Sequence, residues 1–99
     1  LALTSSGPAI VALIIEALSD GGLSGGLPKI LSEELVMEMI IGTISLIKEK
    51  NLTTSELKNL VTSPGGTTIS ALRVLEKKSI RSALIESIVS ASNRSKEFS

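Results

Sequence analysis

The chain contains no cysteine, histidine, tryptophan or tyrosine, and its one aromatic residue is Phe98. Without cysteine or histidine, a disulfide framework, a zinc centre, a thiolate nucleophile and a Ser-His-Asp triad are all excluded within it. Chemistry carried here has to use hydroxyls, carboxylates, lysine, arginine or backbone groups, and no metal site is expected. The lack of cysteine is compatible with the cytosol, so a cytoplasmic protein is the expectation. Neither sign of charge is in excess: ten basic and ten acidic residues cancel. With no basic footprint and no aromatic stacking platform, nucleic acid is not expected as a partner.

Long hydrophobic runs are missing too. The longest, Pro8 to Ile15, ends at Glu16 and falls short of the roughly 20 residues that cross a membrane. Lys and Arg are scattered rather than lining one helical face, which argues against a membrane-surface helix. No charged region precedes the run as a secretory signal requires. There is no initiator methionine, and the chain reads as a piece cut from a longer protein. The glycines between Gly21 and Gly26 lack the G-x-G-x-x-G spacing and the preceding strand of a dinucleotide fingerprint, so no cofactor site is expected in this chain.

What is present is aliphatic. At 42% hydrophobic, 99 residues suit one all-α domain packed by Leu, Ile, Val and Ala. Five helices are expected. The first starts at Ser6-Gly7-Pro8, where Ser6 can cap, and runs to about Ser19; Gly21 to Gly26 then read as a helix-ending turn. The second spans roughly Pro28 to Lys50, with Glu33 and Glu34 near its start and Lys48 and Lys50 at its end, matching the helix dipole. A short third helix begins at Thr54 or Ser55 with Leu57, Leu60 and Val61 inward. The fourth runs from Thr67 to about Lys77 and the fifth from Ile80 to Glu97, with Ser90 to Lys96 polar and frayed. The first two helices are apolar around nearly their whole circumference. One short chain cannot cover both, so a second copy is expected to supply the missing surface in a large, interlocked homodimer.

The stretch around which the chain is organised is Val61 to Glu76, V-T-S-P-G-G-T-T-I-S-A-L-R-V-L-E. Ser63-Pro64-Gly65-Gly66 delivers the backbone into a helix whose first turn carries Thr67 and Thr68. Two glycines allow left-handed angles and close approach of a ligand. The N–H groups of a first helical turn, aided by the helix dipole, favour a carboxylate or phosphate. The same letters also describe an ordinary interhelical turn, punctuated by Pro and Gly and capped by Thr. Glu16 and Asp20, at i and i+4, form a carboxylate pair that reads as solvated charge before it reads as a dyad. Arg73, Glu76 and Arg81 read as surface or interface charges.

This segment resembles the V-x-S-P-G-G-x-T-I-x-x-L-x-V-L-E signature in the C-terminal domain of pyrroline-5-carboxylate reductases. Three other places agree in order: S-G-P-A at Ser6 to Ala9, E-A-L-S-D-G-G at Glu16 to Gly22 with G-L-P at Gly26 to Pro28, and R-S-A-L-I-E at Arg81 to Glu86. The resemblance covers nearly the whole chain. It departs where the family commonly reads G-S-G-P-A-Y: here Ser5 replaces a glycine and Ile10 the aromatic.

The resemblance implies that residues 1–99 form the helical dimerisation and substrate-loop domain, intertwined and similar to the C-terminal domain of 6-phosphogluconate dehydrogenase. It also implies an N-terminal nucleotide-binding domain outside this chain. The parent enzyme would reduce 1-pyrroline-5-carboxylate to proline with NAD(P)H, as a homodimer or a larger assembly of dimers. The fragment alone would be inactive and bind no cofactor. By the same resemblance Ser63, Gly65, Gly66, Thr67 and Thr68 hold the substrate. The N–H groups of Gly66 and Thr67 take its carboxylate, and the Thr68 hydroxyl takes its ring nitrogen as the group closest to catalysis. The alternative is a non-catalytic oligomerisation module that retains only the helices.

Overall fold

Helices begin and end in this chain where backbone groups find local partners. In the computed structural model, which describes residues 1–63 and 65–97, there are five α-helices and no strand among the described residues. They are α1 (Ala2–Ser24), α2 (Lys29–Lys50), α3 (Thr54–Thr62), α4 (Gly66–Lys77) and α5 (Ile80–Glu97). Pro64 and Phe98, both singled out in the sequence, lie outside the described residues.

Four helices agree with expectation to within a residue or so at the ends, while α1 is longer at both. It starts early because the Leu1 carbonyl accepts from the Ser5 N–H at 2.9 Å and from the Ser5 hydroxyl at 2.8 Å. Pro8 is therefore inside the helix rather than at its start, and the Thr4 carbonyl forgoes its usual donor. At the other end Gly21 and Gly22 stay helical. The stop comes at Gly26, whose φ of 104° is left-handed; its N–H donates to the Leu23 carbonyl at 3.0 Å, and the Leu27 N–H donates to the Gly22 carbonyl at 3.1 Å. This is a Schellman closure. α2 ends the same way on Asn51, at φ 51°.

With its full length, α1 meets the length and composition needed to cross a membrane, although the apolar run Pro8 to Ile15 alone does not. Core helices of soluble proteins pass the same test. At the far end, α5 continues as helix through the polar residues Ser90 to Lys96 rather than fraying.

The chain divides into two units, one of Pro8–Thr54 and one of Leu1–Gly7 with Ser55–Ser99. In the first, α1 and α2 meet at a small-residue crossing. The Ser32 hydroxyl donates to the Ser19 carbonyl at 2.7 Å, and among the described residues these serines are the two buried polar ones, 1% and 5% exposed. Gly22 makes the approach possible, because a Cβ there would collide with Ser32 Oγ and crowd Leu27 Cδ1 at 3.3 Å. In the second unit α4 packs on α5, and across their junction Arg81 Nε donates to both Glu76 carboxylate oxygens at 3.0 and 2.7 Å. Both side chains are more than half exposed, so the pair adds under about 1 kcal/mol.

Among the described residues no hydrophobic side chain is buried. Ile30 is 74% exposed, and Leu13, Ile41 and Ile85 are each 64% exposed. Leu60 and Val61, expected to face inward on α3, are exposed as well. Apolar faces exposed on this scale call for a covering surface, as the two all-round apolar helices suggested.

Two outcomes are expected. Static light scattering across a dilution series should give twice the chain mass, and the thermal midpoint should rise with protein concentration; a monomer with a fixed midpoint would contradict the argument from surface. Gly22→Ala should destabilise the chain by about 1–3 kcal/mol. In a Ser32→Ala background denaturant titration should show a smaller cost, because the colliding hydroxyl is gone.

Candidate functional site

The loop between α3 and α4 is shaped by hydrogen bonds from the end of α3. The Thr62 hydroxyl donates to the Lys58 carbonyl at 2.6 Å, and the Ser63 N–H donates to the Asn59 carbonyl at 3.0 Å. The Gly65 N–H then turns back to the Thr62 carbonyl at 3.2 Å. After this turn Gly65 is extended, with φ −162° and ψ 146°, and α4 begins at Gly66 with no side chain capping it. Thr is thus not the cap, contrary to the simplest reading of the turn. A glycine holds that position and brings no side-chain oxygen to the first turn.

Neither loop glycine adopts a left-handed backbone. Gly26 is the one glycine with positive φ among the described residues, so the expectation that Gly65 and Gly66 serve left-handed angles is corrected. An extended φ suits any residue. Internal crowding does not require glycine here either. A Cβ on Gly66 would meet nothing within 4 Å, and one on Gly65 would lie 3.8 Å from Thr67 Oγ1, an ordinary contact. What the two glycines leave is bare backbone at a helix start.

The site follows from that geometry. First-turn N–H groups of a helix have no acceptor within it, and the dipole places partial positive charge at the same end. Gly66 and Thr67 are exposed, as is Ser63, while Gly65 and Thr68 are half-buried. Ser63, Gly65, Gly66, Thr67 and Thr68 are thereby gathered around one helix start, with the Thr67 hydroxyl lying toward Gly65. Such an arrangement can receive an oxyanion along the axis and present hydroxyls to a second polar atom. A 160 Å³ cavity in the same unit is lined by Lys58, Leu72, Leu75, Glu76, Ile80 and Arg81 and by none of the loop residues. On this chain alone, the loop is an open surface.

The other sequence candidates lie elsewhere. Arg73 is exposed on α4, and Glu76 with Arg81 forms the junction ion pair. Glu16 and Asp20 are exposed on α1 in the other unit. Among the described residues no group of acidic side chains is arranged to hold a metal ion. Sequence reasoning missed the crossing of Ser19, Gly22 and Ser32; the signal available was the small-residue spacing Ser19-x-x-Gly22, hidden by treating Gly22 as part of a turn.

Comparison with known proteins places the fold and the loop in context. A family model described as pyrroline-5-carboxylate reductase dimerisation matches residues 1–98. The pyrroline-5-carboxylate reductase of Synechocystis sp. is 50% identical over 95 residues, which is 96% of this chain and 36% of that protein. A pyrroline-5-carboxylate reductase structure from Coxiella burnetii superposes with a TM-score of 0.92 at 40% identity, covering 99% of this chain and 36% of that one. The Plasmodium falciparum pyrroline carboxylate reductase with NADP bound gives a TM-score of 0.92 at 36% identity, over 97% of this chain and 37% of that one. The chain thus spans about a third of the length of the relatives it matches.

If the glycines serve something outside the chain, Gly66→Ala should leave the fold intact. Its stability is expected to change by less than about 1 kcal/mol, since Ala is the better helix former. Chemical denaturation checks this, and a larger loss would mean the fold itself requires Gly66.

Proposed function

Because the chain belongs to the pyrroline-5-carboxylate reductase dimerisation family, we propose that it forms the dimerisation and substrate-loop domain of an enzyme reducing 1-pyrroline-5-carboxylate to proline. The nucleotide, NADH or NADPH, would be held by a segment outside these residues and would supply a hydride to the imine carbon. The NADP named for the Plasmodium falciparum relative supports that cofactor class. A cytoplasmic homodimer, or an assembly of such dimers, goes with this reading.

The observation that carries the proposal is the uncapped start of α4, where Gly66 is open and Thr67 and Thr68 stand beside it. In this reading the N–H groups of Gly66 and Thr67 hold the substrate carboxylate, helped by the positive end of the helix dipole. Ser63 offers a further hydroxyl from the end of α3, and bare Gly65 lets the carboxylate approach the backbone. With the carboxylate fixed, the ring nitrogen comes to the Thr68 hydroxyl. A threonine hydroxyl is a weak acid, so it does not drive protonation. Its part is to orient an already protonated imine so that the carbon sits at hydride distance. The ring nitrogen, as the imine bond is reduced, becomes the amine of the product and keeps its contact with Thr68.

In the intact enzyme Thr68→Ala should lower kcat/KM by about 10- to 100-fold, the equivalent of losing one hydrogen bond to a charged group. Cofactor affinity should stay within about twofold, and Thr68→Ser should restore most of the loss. Steady-state kinetics with unchanged kcat/KM for Thr68→Ala would sink the assignment. An intact parent without any reductase activity would leave the oligomerisation module as the reading.

A further inference from the structure

Along α2 the residues Ser32, Leu35, Met39, Gly42 and Leu46 follow one another at alternating intervals of three and four, the spacing that lines one seam toward one neighbouring helix. The seam begins in contact with its own chain, because Ser32 is buried with its hydroxyl on the Ser19 carbonyl of α1. From the next position onward it is open: Leu35, Met39 and Leu46 are exposed, and so is Gly42 among them. We propose that a helix of a second copy of this chain packs along the open part of the seam and comes closest at Gly42. This contact rests on the homodimer reading above and gives the place where the copies meet.

The first ground is a glycine that its own chain does not explain. Inside a helix glycine is less favourable than alanine, because it loses more backbone freedom on folding. Gly26 is needed for its left-handed φ, and Gly22 because Ser32 occupies the space that a Cβ would take. Gly42 has neither reason: its φ is not positive, and a Cβ there would meet nothing within 4 Å. Gly7 and Gly21 are equally free of neighbours but lie near the two ends of α1, whereas Gly42 has more than two turns of α2 on either side. The space that Gly42 keeps free lies outside the chain. Helix axes approach to a distance set by the side chains at the contact, so a bare position lets a second helix come nearer than Leu or Met would.

The second ground is the polarity of the strip. Thr43, next to Gly42, donates its hydroxyl to the Met39 carbonyl at 2.7 Å. It can therefore be covered by an apolar neighbour without losing its partner. The seam stops at Glu49, three residues after Leu46, where an exposed carboxylate belongs in water. What remains between Ser32 and Glu49 is an apolar strip with a bare centre, the complement of another apolar helix. Dimerisation, which describes the family of this chain, makes a second copy the occupant.

Dimers assembled from one isotopically labelled and one unlabelled copy of the 99-residue chain test this by isotope-filtered nuclear Overhauser spectroscopy. Cross-peaks from the Gly42 α-protons to side chains of the other copy are expected, and they are read on the native chain. Gly42→Ala then gives a test of sign. Alanine is the better helix former, so an exposed position without a partner would leave the dimer dissociation constant unchanged or lower it. With a helix packed on Gly42, sedimentation over a dilution series should show the constant rising by about tenfold for Gly42→Ala and about 100-fold for Gly42→Leu. Dimers without cross-peaks at Gly42, or in which Gly42→Ala associates as tightly as the native chain, overturn the contact and leave the homodimer reading standing. A chain that stays monomeric at every concentration overturns both.

Discussion

Apolar surface on every side of a helix has to be covered on every side, and α2 is apolar over nearly all of its circumference. That constraint governs the molecule. Helices amphipathic toward one neighbour can be completed by their own chain, whereas here, among the described residues, two serines at one crossing are buried and every isoleucine and leucine is half-buried or exposed. Membership of a dimerisation family gives the missing surface its source. Folding and association are then hard to separate, because hydrophobic burial is the main favourable term in folding and a single copy gains little of it.

The α1/α2 crossing shows how such a chain keeps definite geometry without a core of its own. Close packing of backbones requires small residues, and Gly22 with two serines provides them. The serine-to-carbonyl hydrogen bond adds direction, which aliphatic contacts lack. Two left-handed C-caps, Gly26 and Asn51, then fix where α1 and α2 stop. These local devices specify the helices, and association supplies most of the burial.

Much of the architecture was legible because it depends on local chemistry. Helix boundaries at Pro28 and Asn51 follow residue types with known backbone preferences, and α2 to α5 were placed closely. α1 was not, for two reasons. Pro8 reads as a first-turn residue and Gly21-Gly22 as a break, yet hydrogen bonding to Leu1 and packing against Ser32 outweigh both propensities. For the loop, the order of letters drew attention to five residues that the structure gathers at one helix start, but gave the wrong account of the glycines. Periodicity cannot tell a glycine needed for φ from one needed for bare backbone; only the angle at Gly65 and the open space at Gly66 separate them.

The two units carry different features. The Pro8–Thr54 unit holds α2 and most of α1, the two most apolar helices. The loop belongs to the other unit, where its hydrogen bonds run to α3 and its helix start is α4. A site built on a helix start is rigid in the direction of its N–H groups and open across them. Precision along that axis needs nothing from outside, while closure around the ligand does. On the proposed reading, an enzyme that excludes water during hydride transfer would have to obtain its remaining walls from another segment or another copy.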